Sequence, residues 1–260
     1  MASSVTRYTH LYLSPHLDDA VLSCGGAIAR HVAAGEQVLV VTICAGSPPP
    51  GTSFSPFAQQ QHARWGLPPA EAVARRRAED RAALALLGAD ALQLDLLDAI
   101  YRMPAAYVDD RTLFGPVAPD DPLTAALRPR LEALLDDHPG ATIYAPLGVG
   151  QHVDHQAVYA VAARLATAGA TVWFYEDVPY VLRPGALDAR LAALGGRAQW
   201  EPVVVPLGAA VPQKIAAIAA YASQIATLFG DHERMGEAVA AYAEQVAPPG
   251  KEPAERLWRR

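Results

Sequence analysis

The stretch LYLSPHLDDAVLSCGG, residues 11–26, decides how the rest of the chain is read. Leu11, Tyr12 and Leu13 form a short apolar run that Ser14 and Pro15 break. Val21, Gly25, Ile28, Ala29 and Val32 then recur at helical spacing. That order predicts a buried strand handing over to a helix that begins at Asp19 and closes at Gly35. Between the two sit His16, Asp18 and Asp19. Neighbouring carboxylates repel each other and are costly to bury in a core, so their place at a strand end points to work outside it.

The same alternation continues outward. QVLVVTICAG, residues 37–46, is a continuous apolar strand of the kind found in a parallel sheet covered on both faces. Residues 47–69 carry six prolines and predict a long loop near the site. A helix over 71–87 ends at Gly88, ALQLDLLD (91–98) supplies a third strand, and an irregular stretch runs to about Asp120. A helix is expected over 123–135 with Pro129 inside it. A strand over 141–148, a helix marked by Val158, Val161, Ala162 and Leu165, and a strand over 171–178 follow. The C-terminal part, 199–260, reads as a strand at 202–206 and helices over 211–229 and 237–245. Such alternation predicts a single-domain, three-layer α/β/α sandwich on a mostly parallel, Rossmann-like sheet, with ligands collecting beyond the carboxyl ends of the strands. No G-x-G-x-x-G follows the first strand, which removes a dinucleotide reading.

The chain has 260 residues, 52% hydrophobic and 18% charged, with a formal net charge of −6 and no block of five or more like charges. That balance argues against a nucleic-acid or anionic-membrane partner. Cys24 and Cys44 lie in apolar segments and read as free, buried thiols of a reducing compartment. The first ten residues contain no apolar signal core, and no apolar run reaches the length of a membrane span. The expectation is a cytoplasmic protein acting on a small molecule, as a monomer or a homo-oligomer.

A second informative stretch, APLGVGQHVDHQAV (145–158), again passes from strand to helix. His152 and His155 are three apart and share a helical face, with Asp154 between them. The chain has eight histidines, and three sit with acidic neighbours at two strand-to-helix turns on the same face of the predicted sheet. Imidazoles and a carboxylate with one open position hold a catalytic zinc, and such an ion brings the pKa of a bound water to about 7. A further carboxylate can take the water's proton. A further histidine can protonate a leaving group or stabilise an oxyanion. The plainer alternative makes the aspartates helix caps and the histidines structural.

PHLDD (15–19) and HVDH (152–155) resemble the paired motifs, (A/P)-H-P-D-D and H-x-D-H, of the LmbE-like or PIG-L N-acetylglucosaminyl deacetylases. RRRAEDRAALALLGAD, LDAIYR, YEDVPY, KIAAIAAYASQI and AERLW are similar to family segments in their usual order, so the likeness runs along most of the chain. Leu17 stands where the family usually has proline. The resemblance implies zinc held by His16, Asp19 and His155, with Asp18 as general base. His152 would stabilise the oxyanion or protonate the amine, and Asp154 would orient an imidazole. The implied reaction is hydrolytic removal of an N-acetyl group from an N-acetylglucosamine-type sugar or conjugate by a metal-activated water. Iron(II), cobalt or nickel would fit the same donors.

Arg76 matches the family's arginine and, with Asp98 after the third strand, is a candidate for binding sugar hydroxyls. Arg76 also sits among Glu71, Arg75, Arg77, Asp80 and Arg81, the pattern of a solvent-facing helix with pairs such as Glu71–Arg75. Trp65 and Phe57 are candidate sugar-stacking surfaces, and Tyr101 and Arg102 follow Asp98. Glu176 and Asp177 read equally as a border of the site or as a turn before Pro179. His10, His31, His62, His138 and His232 carry no motif. Competing functions are a zinc amidase acting on another amide, such as a thiol conjugate or acylated natural product, and a non-catalytic metal-containing protein that binds a sugar or nucleotide.

Overall fold

The computed structural model describes residues 6–260; residues 1–5, half of the N-terminal stretch read as lacking a signal core, lie outside the described residues. One sheet contains β1 (His10–Ser14), β2 (Val38–Thr42), β3 (Asp90–Gln93), β4 (Thr142–Pro146), β5 (Val172–Tyr175), β6 (Glu201–Pro206) and β7 (Ala254–Arg259). Its order is β3-β2-β1-β4-β5-β7-β6. The first five strands are parallel, and β7 lies antiparallel between β5 and β6.

The helices are α1 (Asp19–Ala33), α2 (Pro56–Trp65), α3 (Ala72–Leu87), α4 (Ala99–Arg102), α5 (Asp110–Leu113), α6 (Leu123–Asp137), α7 (Val153–Thr167), α8 (Ala186–Ala193), α9 (Ala210–Ala219), α10 (Ala222–Leu228) and α11 (His232–Val246). α9 packs against α1, α3 and α11 in one layer, while α6 and α7 pack together in the other. The expected Rossmann-like α/β/α arrangement is present. Every residue of β2 is buried because helices cover both faces of the strand. Among the described residues, no helix is long and apolar enough to cross a membrane.

Sheet order is what positions the site. The chain builds β2 and β3 to one side of β1, then returns to place β4 and β5 on the other. The crevice of an open α/β sheet opens at such a reversal. β1 and β4 pair from His10 against Thr142 and are both five residues long, so they end level. The turns that follow them carry the two histidine motifs.

Several boundaries differ from the sequence reading. The proline-rich 47–69 segment is not all loop: Pro56 begins α2, Ser55 caps it by accepting from Ala58 N–H, and Gly66 ends it in the left-handed region. The third strand stops at Gln93, and Asp98 instead caps α4. The helix expected over 211–229 is two. Tyr221 leaves the helical conformation (ψ 55) and donates its hydroxyl to Asp80 Oδ1 at 3.0 Å. The last helix extends over His232–Val246, and Pro129 is accommodated within α6. Strand β7 escaped the sequence reading because half of it is charged. Glu255 accepts from Gly26 N, Ala27 N and Lys214 Nζ, while Arg256 and Trp258 both donate to Glu176.

Candidate active site

A cleft of about 380 Å³ opens beyond β1 and β4. Its floor is made of His16, Asp18, Asp19 and His152, and its walls include Trp65, Arg76, Asp98, Phe114 and Tyr180. The turn after β4 needs glycine. Gly148 and Gly150 have φ of 83° and 85°, and a Cβ at Gly150 would lie 2.6 Å from the Tyr180 ring. The chain then enters α7, where the His152 Nδ1 accepts from Asp154 N–H at 3.2 Å.

Each of two imidazoles is held at one nitrogen, leaving the other aimed at Asp19. His155 Nδ1 donates to Asp177 Oδ1 at 2.7 Å, so in the neutral ring its Nε2 carries the lone pair. That Nε2 is buried without a hydrogen-bond partner, 3.2 Å from Asp19 Oδ2. His16 Nε2 is 2.9 Å from Asp154 Oδ2, and its Nδ1 lies 3.1 Å from the same Asp19 oxygen. Spacings of 3.1 and 3.2 Å match the edge of about 3.3 Å in a tetrahedron with metal–ligand arms of about 2.0 Å. His16 and His155, with their outer nitrogens engaged, and Asp19 between them therefore fit a divalent ion. The ring nitrogens of His16, His152 and His155 also lie within 4.8 Å of one another, but His152 has already committed its Nδ1 to the backbone.

The electrostatics follow from burial and charge. Burial pushes the Asp18 carboxyl up to about 6, against the opposing pull of the Arg76 guanidinium. Burial also works against ionised Asp19, yet His155 and then His16 hold it well below the usual carboxylate range. For His155 burial is outweighed by Asp19 and Asp177, which push it to about 9. His152 is held well below its ordinary value, first by burial and then by the charge of His16. Its imidazole is therefore neutral, and with Nδ1 accepting from the backbone its proton sits on Nε2.

Asp154 is fully buried and does not line the cleft. It orients His16 and is itself held by Arg102 Nη2 at 2.6 Å and by Ala99 N–H at 3.1 Å. Arg76 and Asp98 both line the cleft. Arg76 is 8% exposed, so the solvent-facing alternative is wrong for it; its Nη2 is 3.5 Å from Asp18 Oδ2, its Nε is unpartnered, and it lies over Trp65 at 4.8 Å. Arg75 pairs with Glu79 rather than Glu71. Trp65 lines the cleft as expected, whereas Phe57 packs beneath the rim with Ile100, Tyr107 and Leu113. Glu176 is a buried anchor for β7. Asp177 holds His155 and accepts from Gly148 N and Val149 N, each at 2.8 Å. The sequence left Asp177 undecided, and its only signal was a carboxylate at the end of a predicted strand on the active face.

A crevice at the switch point of a parallel sheet, floored by histidines and carboxylates with one buried imidazole nitrogen unpartnered beneath it, marks a Rossmann-like protein whose donor groups fit a divalent ion. The pattern of the PIG-L family, GlcNAc-PI de-N-acetylase, matches residues 11–166, and the chain belongs to this family of N-deacetylase hydrolases. It is 30% identical over 223 residues to 2'-N-acetylparomamine deacetylase of Streptomyces fradiae, covering 82% of this chain and 72% of that one. The structure of A40926 pseudoaglycone deacetylase superposes with a TM-score of 0.74 at 31% identity, covering 97% of each chain. The zinc-inhibited form of teicoplanin deacetylase gives 0.79 at 29% identity, also over 97% of each.

Proposed function

We propose that this enzyme hydrolyses the N-acetyl group of an N-acetylglucosamine-type sugar carried on a larger natural product, using a divalent ion, zinc in the first instance, held by His16, Asp19 and His155. The observation that carries the reading is the buried His155 Nε2 facing an Asp19 oxygen at 3.2 Å, a nitrogen and an oxygen that an ion would share on displacing the nitrogen's proton. When bound, the ion supplies Lewis acidity that polarises the amide carbonyl and acidifies a water.

The chain's own groups do the rest. Asp18 lies on the cleft floor beside Asp19 and accepts a proton from the attacking water. Its raised carboxyl is suited to that task and to giving the proton back. His152, neutral and protonated at Nε2, donates a hydrogen bond to the oxyanion of the tetrahedral intermediate, which favours the oxyanion role over that of an acid. The C–N bond breaks as Asp18 returns its proton to the leaving nitrogen, giving acetate and the free amine. Asp154 and Asp177 are positioning residues acting through His16 and His155. Arg76 and Asp98 bind sugar hydroxyls from the wall, and Trp65 offers a face for the ring. The acetamidosugar portion of the reading is supported by the deacetylase relatives acting on amino-sugar natural products.

Amine release from N-acetylglucosamine, its aryl glycosides and N-acetylated aminoglycosides, with bound metal quantified beside Asp18→Asn, tests this. Turnover lost in Asp18→Asn with metal retained is the expected result. A wild-type protein that takes up no metal when zinc is added overturns it.

A further inference from the structure

The end of the sheet away from the cleft holds a second convergence of metal-binding groups. His10 opens β1, His31 lies in the last turn of α1, and Glu36 sits between α1 and β2. His31 Nδ1 lies 2.5 Å and His10 Nε2 3.2 Å from the same oxygen, Glu36 Oε2. The two rings stack with centroids 3.7 Å apart, and one ligand atom from each residue lies within 4.8 Å of the others.

The backbone holds this arrangement in place. Glu36 N–H donates to His31 O at 3.0 Å, and His10 N–H donates to Gln37 O at 3.1 Å. His10 is further oriented by its Nδ1, 3.1 Å from the buried Tyr144 hydroxyl, the kind of outer contact that fixes the tautomer of a ligating histidine. The side chains are 13%, 24% and 43% exposed for His10, His31 and Glu36, so an ion reaches them directly from solvent. None of the three belongs to the catalytic machinery, and the length of β1 separates them from His16.

We propose that His10, His31 and Glu36 form a second divalent-metal site, at the far end of β1 from the catalytic centre, selective for a borderline transition ion. Two imidazoles and one carboxylate suit zinc, copper(II) or nickel(II) rather than magnesium or calcium, which prefer oxygen cages. Three protein ligands leave the remaining positions to water. Because the ligands converge only in the folded chain, the bound ion ties the end of α1 to the start of β1 and stabilises the native state by mass action.

Calorimetric titration of chelator-stripped protein with zinc at neutral pH tests the site, alongside His31→Ala, Glu36→Gln and His155→Ala. Wild type is expected to bind two equivalents, His31→Ala and Glu36→Gln one each, and His155→Ala one. Tyr144→Phe should weaken the second equivalent about tenfold. Zinc should raise the melting temperature of His155→Ala but not of the double variant with His31→Ala. Glu36 is largely solvated, so a metal-free melting temperature for Glu36→Gln equal to wild type separates lost ligation from misfolding. Wild-type stoichiometry retained in both His31→Ala and Glu36→Gln overturns the proposal and leaves a proton-bridged histidine–glutamate pair. A single equivalent in wild type, lost in His31→Ala and kept in His155→Ala, upholds this site while refuting the catalytic one.

Discussion

Beneath the floor of the cleft, His155 and Asp154 are fully buried and each hydrogen-bonding atom turned away from the cleft has a named partner. At the rim, Arg64 of α2 and Asp110 of α5 hold each other through two hydrogen bonds of 2.8 and 2.9 Å while 37% and 52% exposed. The floor stands on the ends of paired parallel strands over the main core. The rim stands on short helices over a small satellite cluster that includes Phe57, Ile100 and Leu113. Buried charges can be held to one geometry because each is costly to leave unpaired. Solvated ones are screened and exchange partners at little cost. Under the proposed function, turnover belongs to the floor and selection among substrates to the rim.

The hardest blow to this division falls at the proposed metal ligands. His155→Ala should reduce deacetylation to background and remove the catalytic equivalent of metal, measured by elemental analysis of the purified protein. Asp18→Asn should lower kcat by roughly 10²–10⁴-fold with metal content unchanged; a variant that keeps its rate places the base elsewhere. Arg102→Met leaves Asp154 and Asp121 buried without their cation and should destabilise the fold by about 3–5 kcal/mol in denaturant titrations.

Asp177→Asn retains an oxygen for Gly148 and Val149 but loses the charge beside His155. It should weaken metal affinity by roughly 10–100-fold while leaving kcat of the metal-saturated enzyme nearly intact. The smallest effect belongs to the rim. Arg64→Ala should shift KM severalfold, in a direction that depends on the conjugate offered, with kcat unchanged and stability altered by no more than about 1 kcal/mol. A loss in kcat comparable to that of Asp18→Asn would show that the rim takes part in chemistry and end the separation of roles.

The parts legible from the chain alone share one property: they depend on residues close together in it. Strand β1, α1 and the groups between them lie within one continuous stretch, as do β4, α7 and the second motif. Apolar period and turn composition express local free energies that any single sequence displays. That is why His16, Asp18, Asp19, His152 and His155 could be named before their arrangement was known. Helix α2 was hidden because prolines at 48–50 and 68–69 mask a helical segment in which Pro56 occupies the first turn, where proline is tolerated.

What the chain alone left open was decided by strand order. Arg102 and Asp154 are 52 residues apart, Asp177 reaches His155 across 22, and Glu176 anchors Trp258 across 82. No periodicity encodes such pairings. A buried charge takes whichever opposite charge the sheet brings within reach. Arg76 illustrates both halves: its neighbours in sequence are charged and suggested a solvated face, yet α3 packs so that Arg76 and Asp80 turn inward. Local sequence fixed the identity of the reactive groups through short-range backbone preferences. Only the tertiary structure determined which of them face one another, which are held from behind and which form the wall, because those placements rest on desolvation and on partners brought from distant parts of the chain.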